Sequence, residues 1–350
     1  MTADAALLLP HLAEAGARAL LVADENCADF PFAALAPTPV LSNRRDIADA
    51  ALGAGCAARF SDFDFTPWQP GDLDVIAAPL AKEKAVVHHI ANSAATLLAP
   101  GGRLVLTGGK QEGIKTFAKT LAARLGGNSQ LEKHGSRYRL VIQRSRETGT
   151  PLDDKDYPAL RPVLMVNGKP VLSKPGLFGW DRIDAGSALL TEQLPAFFGT
   201  EKQPVSPAPP RTLLDLGCGY GYLSLMAARY GDFRITATDN CAAALLACER
   251  NFEVHGIDGE VVASDAGDTL AGPFDALLCN PPFHQGFQSD RRLTDKFIAA
   301  ARRLLHPRGR ALFVVNSFVP LEGLAAGVFG RVQVMVNDGR FKVIVLGPGA

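Results

Sequence analysis

Leu213-Leu214-Asp215-Leu216-Gly217-Cys218-Gly219-Tyr220-Gly221 decides the fold of this 350-residue chain. A short apolar run is stopped by glycines at alternate positions, and residues 222–230 resume with apolar groups at helical spacing. Strand, glycine turn and helix in that order open a β-α unit of a parallel sheet. Glycine allows the tight turn and lets backbone N–H groups reach a ligand. The spacing is G-x-G-x-G rather than G-x-G-x-x-G, which points away from a dinucleotide. Downstream, residues 235–239, 260–263, 274–279 and 310–315 read as strands, with helices over 241–254 and about 294–305. Residues 332–336 and 341–346 flank Asn337-Asp338-Gly339, a hairpin signal that makes one of the last two strands antiparallel. The expectation is a doubly wound α/β, Rossmann-like sheet of seven strands over 165–350.

The first half repeats this plan more faintly. Residues 18–23 resemble 211–216, 74–79 echo 275–281, and 98–106 resemble 305–313. An internal duplication accounts for the shared order, and shared strand–turn grammar is the competing explanation. Read this way, Asp24 and Asn26 replace Gly217 and Gly219, and Ala78 stands where Asn280 does. The expectation is a degenerate domain over 1–150, a join within 144–162, and two tandem domains in all. Lys+Arg and Asp+Glu both number 36, so any nucleic-acid contact must come from a local patch. Candidate patches are Arg291-Arg292, Arg302-Arg303, His306 with Arg308, Lys110 to Lys119, and Lys133 to Arg146. The cysteines at 27, 56, 218, 241, 248 and 279 form no Cys-x-x-Cys pair, so reduced thiols and no metal site are expected. The start lacks the basic flank of a signal peptide and Ala5–Leu9 is too short for a membrane span, which suggests a cytoplasmic protein.

Around the glycine turn, Asp215 can order the loop and face a cofactor ammonium. Asp239 closes the second strand, where a carboxylate can accept both hydroxyls of a ribose; capping the next helix is its alternative role, with Asn240 as competitor for it. Asp265, followed by Ala266, ends the third strand at the usual place of an adenine amino group. A solvated turn aspartate is the other reading, with Asp268 close by.

The most specific signal is Asn280-Pro281-Pro282-Phe283 after the strand 274–279. An amine conjugated to a base or an amide is a poor nucleophile. The Asn280 oxygen and the Pro281 carbonyl can accept its hydrogens and favour a pyramidal nitrogen. Proline stiffens the turn and brings no competing N–H, and Phe283 can stack on a planar target. The alternative is an ordinary Pro-Pro turn.

This motif resembles the Asn-Pro-Pro-[Phe/Tyr/Trp] signature of amino methyltransferases acting on adenine, guanine or glutamine nitrogens. With His284, Pro175-Gly176-Leu177-Phe178, Asp184-x-Gly186-Ser187 and Gly339-Arg340-Phe341-Lys342-Val343, the chain resembles the bacterial ribosomal RNA guanine-N2 methyltransferases. It is most similar to the small-subunit methyltransferase C family, whose sister is the G type of methyltransferase acting on large-subunit RNA. The resemblance spans about 165–347 and implies class I methyltransferase domains, the first inactive. It implies S-adenosylmethionine as cofactor, held by Asp215, Gly217, Cys218, Gly219, Asp239, Asn240, Asp265, Ala266 and Asn280. It also places Phe178, Asp184 and Gly186 at the methionine end. Core packing for Phe178 and helix capping for Asp184 are the alternatives. It implies a monomer acting on 16S ribosomal RNA or the 30S particle, with the first domain as RNA platform or as structural cover. An adenine or glutamine methyltransferase and a non-catalytic assembly protein are the competing functions.

Overall fold

The computed structural model describes residues 2–199, 211–282 and 286–349, and of 286–291 only the helical backbone. The chain divides into two compact units, with the boundary between Ala159 and Leu160. In the first unit, β1 (Ala19–Ala23), β2 (Pro39–Ser42), β3 (Ala57–Phe60), β4 (Leu73–Pro79), β5 (Leu98–Gly109), β6 (Ser129–His134) and β7 (Arg137–Gln143) form a sheet of order β3-β2-β1-β4-β5-β7-β6. In the second, β8 (Arg161–Val166) and β9 (Lys169–Ser173) make a separate hairpin. There β10 (Arg211–Leu216), β11 (Phe233–Asp239), β12 (Gly259–Ala263), β13 (Phe274–Cys279), β14 (Leu305–Asn316), β15 (Arg331–Asn337) and β16 (Phe341–Gly347) follow the order β12-β11-β10-β13-β14-β16-β15. The two sheets therefore share one topology, and both are Rossmann-like. The terminal hairpin is as expected: β16 inserts antiparallel between β14 and β15.

The central strands are apolar throughout because both faces of a parallel sheet are covered. Alternation deals their side chains to two cores. Leu213, Ala237, Ala276, Leu278, Leu312 and Val314 pack on one face, against the helices Ala185–Glu192, Tyr222–Ala227 and Ala242–His255. Leu214, Leu216, Leu277, Cys279, Phe313 and Val315 pack on the other, against Phe297, Ala301 and Leu304 of the helix Gly286–Leu304. Asp215, Asp239 and Asn280 follow the first set in parity, so one face of the sheet carries all three to its carboxyl edge.

Ladder register corrects the comparison of the two halves by one residue. Both sheets slip at the same place, Leu73/Val75 against β5 and Phe274/Ala276 against β14. With Val75 set against Ala276, the remaining pairs put Leu21 at the position of Asp215 and Ser42 at that of Asp239. Continuing along each strand, Ala23 and Glu25, not Asp24 and Asn26, occupy the places of Gly217 and Gly219. Pro79, not Ala78, occupies that of Asn280. At the glycine turn the slip arose because Arg18 and Arg211 look alike as strand openers, yet Arg18 lies one residue nearer its turn.

The first unit reaches past residue 150. Asn92 exchanges hydrogen bonds with the backbone of Leu152 (2.9 Å each), Arg124 donates to Gly149 O (2.7 Å), and the Tyr157 hydroxyl donates to Asp62 (2.6 Å). The boundary falls within the expected join, 144–162, but side chains of the first unit hold that stretch as far as Tyr157.

Candidate active site

The glycine turn is left-handed at Gly217 (φ +80°), Gly219 (φ +54°) and Gly221 (φ +87°), a conformation costly for any residue with a Cβ. Its amides are engaged, contrary to the expectation that they meet a ligand. Gly217 and Cys218 both donate to Thr238 O at 2.9 Å, and Gly219 donates to Asp239 Oδ2 at 2.9 Å. A loop with its N–H groups spent this way is a poor phosphate cradle. It suits a nucleoside cofactor with no phosphate.

Asp215 is fully buried. Its Oδ2 accepts from the Ser224 amide (3.0 Å) and hydroxyl (2.6 Å), while Oδ1 has no hydrogen-bond partner. Burial pushes its carboxyl up to about 6 against those two bonds, and the charge of Asp239 adds to the rise. A cation arriving nearby would offset that burden. Cys218 is buried beside Cys248, which, with burial, raises its thiol well above the usual range. All six cysteines are buried thiols outside any disulfide.

Asp239 stitches two turns together: Oδ2 holds the Gly219 amide, and Oδ1 accepts from Cys241 N at 2.8 Å, at the N-cap of the helix Ala242–His255. Both oxygens keep lone pairs for ribose hydroxyls, so the stitching and ribose roles are compatible. Asn240 is half-buried beside it. Asp265 is paired with Lys296, and the turn role falls to Asp268, which accepts from the Ser264 hydroxyl (2.7 Å) and the Asp265 amide (3.1 Å). Ala266 holds a left-handed φ of +51° and packs into the core.

At the end of β13 the Asn280 amide nitrogen donates to Asp184 Oδ2 and to Ser187 Oγ, each at 2.8 Å. Asp184 also caps the helix Ala185–Glu192, accepting from Ser187 N at 2.9 Å. A Cβ at Gly186 would lie 3.1 Å from Asp184 Oδ2 and 3.3 Å from the Phe341 ring, so the glycine lets this turn close down. Pro281 is buried and Pro282 exposed. Phe283 and His284 lie outside the described residues. Phe178 is 62% exposed, which sets aside core packing for it.

The structure thus gathers Asp215, the glycine turn, Asp239, Asn280 and Asp184 at one sheet edge. Sequence reasoning missed Ser224 and Asn251. The buried Asn251 exchanges bonds with Leu172 N (2.7 Å) and O (2.8 Å) and donates to Tyr220 O (2.8 Å), tying the β8–β9 hairpin to the glycine turn. An asparagine inside an Ala/Leu-rich helix is the signal that could have found it. Much of the Lys133–Arg146 cluster is engaged within the first unit. Arg137 is paired with Asp4 and Glu112, Arg139 with Glu132, and Arg144 bonds Ala95 O. Lys110, Lys115, Lys119 and Lys133 are exposed. Among the described residues no group of three His, Cys, Asp or Glu could hold a metal, and no helix is long and apolar enough to cross a membrane.

Comparison with known proteins gives the family and the fold. The family model for the methyltransferase small domain matches residues 168–345. The ribosomal RNA small subunit methyltransferase C of Shewanella loihica is 29% identical over 277 residues, covering 77% of this chain and 76% of that protein. Its Yersinia pestis counterpart is 31% identical over 249 residues, covering 71% and 67%. The structure of the T. thermophilus 16S rRNA N2 methyltransferase, in complex with AdoMet and guanosine, matches with a TM-score of 0.80 at 23% identity, over 99% of this chain and 92% of that one, and so shares its fold. The chain belongs to the methyltransferase small domain family and, within it, to the group of the ribosomal RNA small subunit methyltransferases C.

Proposed function

We propose that this chain transfers a methyl group from S-adenosylmethionine to the exocyclic N2 amine of a guanine in 16S ribosomal RNA. The observation that carries the reading is the Asn280 amide, held at the end of β13 on the same sheet face as the glycine turn and Asp239. The relatives' names supply the substrate class: small-subunit ribosomal RNA for the Shewanella and Yersinia proteins, and 16S rRNA N2 for the T. thermophilus enzyme.

When bound, S-adenosylmethionine supplies an electrophilic methyl group whose sulfur leaves as a neutral thioether. The residues present suit it: engaged turn amides that ask for no phosphate, a carboxylate for the ribose at Asp239, and a buried carboxylate at Asp215 with one oxygen lacking a hydrogen bond. Asn280 Oδ1 and the Pro281 carbonyl accept the two amine hydrogens and turn the nitrogen lone pair toward the methyl. The proton of the methylated nitrogen passes to water. Because the sulfonium is already activated, the chemistry needs no metal. In this reading the protein is a cytoplasmic monomer, and its first unit grips flanking RNA and so offsets the few kcal/mol of extracting a base from its stack.

The test is methylation of small-subunit RNA and 30S particles from cells lacking this gene, with labelled cofactor and nucleoside analysis. N2-methylguanosine is the expected product. Label in N6-methyladenosine or in protein would replace the substrate, and no label in either would favour an assembly factor.

A further inference from the structure

The Asp184-x-Gly186-Ser187 turn has a feature that binding a cofactor does not require: both hydrogens of the Asn280 amide end there. Asp184 Oδ2 and Ser187 Oγ each take one, at 2.8 Å. A carboxylate only accepts, so the end of the amide facing Asp184 must be the nitrogen. With both N–H groups committed, the amide cannot rotate by half a turn without setting its oxygen against a carboxylate. The Ser187 amide closes the triangle on the same Asp184 oxygen, at 2.9 Å, and so fixes the acceptor by the helix cap itself. A Cβ at Gly186 would stand 3.3 Å from the Phe341 ring, so its absence lets the turn approach. The motif and the strand end lie 93 to 96 residues apart in the chain, so this contact is tertiary and not a local turn effect.

We propose that Asp184 and Ser187 are positioning residues that clamp the Asn280 amide with its oxygen as the sole end available to the substrate amine. This rests on the reading of Asn280 as the group that aligns that amine. The clamp selects a donor substrate: an unclamped amide could equally present N–H to a carbonyl or ring nitrogen, whereas the clamped one presents only an acceptor. The same arrangement makes Asn280→Asp doubly unfavourable, since it sets two carboxylates against each other.

The experiment measures single-turnover methyl transfer to 30S particles together with cofactor affinity by calorimetry, in the full-length chain. Ser187→Ala keeps the Asp184 cap and is the primary variant. It should lower the single-turnover rate roughly 10- to 100-fold, as misplaced reacting groups do, with particle KM and cofactor Kd within about two-fold. Ser187→Thr and Asp184→Asn, which retain an acceptor, should recover most of the rate, whereas Asp184→Ala should not. In a sample labelled with ¹⁵N-asparagine, Ser187→Ala should also move the Asn280 side-chain amide resonance. If Asn280→Ala is inactive while Ser187→Ala and Asp184→Ala turn over normally, the clamp is wrong and the reading of Asn280 stands. If Asn280→Ala is itself active, both fall. A loss confined to cofactor Kd would assign the turn to cofactor binding instead.

Discussion

Asp215 carries the least comfortable charge in the second unit, and its behaviour with pH is a direct readout of the site. Its carboxyl titrates at about 6 in the fold, against an ordinary value of 3.8, because burial opposes ionisation more than the two Ser224 bonds favour it. A raised acid binds its proton more tightly folded than unfolded, so its contribution to stability is fully present below about pH 4. It is lost as pH rises to about 6, by on the order of 2–3 kcal/mol. Asp215→Asn should flatten that slope in denaturant unfolding from pH 4 to pH 7. The cationic cofactor should favour the ionised form, so its Kd should tighten from pH 5 to pH 7 in the wild type and less in Asp215→Asn. Equal pH slopes in both proteins would detach Asp215 from the cofactor. The place of Asp215 beside the glycine turn and a cationic cofactor was legible in the sequence, but its complete burial and raised carboxyl were not. Its partner Ser224 lies nine residues on, in a helix whose inward face had to be seen.

Among the elements, the glycine turn makes a sharper distinction than its spacing suggests. Gly219 has φ +54° with nothing within 4 Å of a notional Cβ, whereas at Gly221, φ +87°, a Cβ would stand 2.8 Å from Cys248 Sγ. Gly219→Ala should therefore cost only about 1 kcal/mol of stability yet weaken cofactor binding, because its methyl enters the space the cofactor needs. Gly221→Ala should mainly destabilise the fold, by roughly 2–3 kcal/mol. Thermal melts with and without S-adenosylmethionine separate the two, and an equal loss of ligand-induced shift per degree of melting in both would erase the distinction. The buried strands β10, β13 and β14 were legible because parallel strands covered on both faces are unbroken apolar runs. The β8–β9 hairpin was not. Its anchors are distant side chains of one helix, the buried Asn251 79 residues from Leu172 and His255 against Pro170 O at 3.0 Å, and no local pattern encodes such contacts. The helix that Asp184 caps ends at Glu192, and a second begins at Leu194 with Pro195 at its start, since proline suits a first turn but breaks an interior.

For the molecule as a whole, two sheets of one topology differ at the positions that matter. Leu21, Ala23, Glu25, Ser42 and Pro79 occupy the places of Asp215, Gly217, Gly219, Asp239 and Asn280. Asp24, in the first unit's turn, is buried and pushed up to about 7 chiefly by that burial. Full-length protein should bind one cofactor per chain, and Asp239→Ala should remove that binding with no second site remaining; two equivalents by calorimetry would contradict the degeneracy of the first unit. Its exposed lysines are the proposed RNA contact. Lys115 lies over the Tyr138 ring at 4.8 Å, Lys119 follows one helical turn on, and Lys133 pairs with Tyr138 across β6 and β7. Each Lys→Glu change there should lower the salt slope of RNA binding by about one or more, and unaltered slopes would leave that unit a structural role. The most direct test of the central claim is Asn280→Ala in single-turnover methyl transfer to 30S particles. The account predicts a rate lower by ~10²–10³, as for loss of a positioned hydrogen bond at a reacting centre, with cofactor Kd within about two-fold of wild type. A near-normal rate would show that the reaction takes place elsewhere.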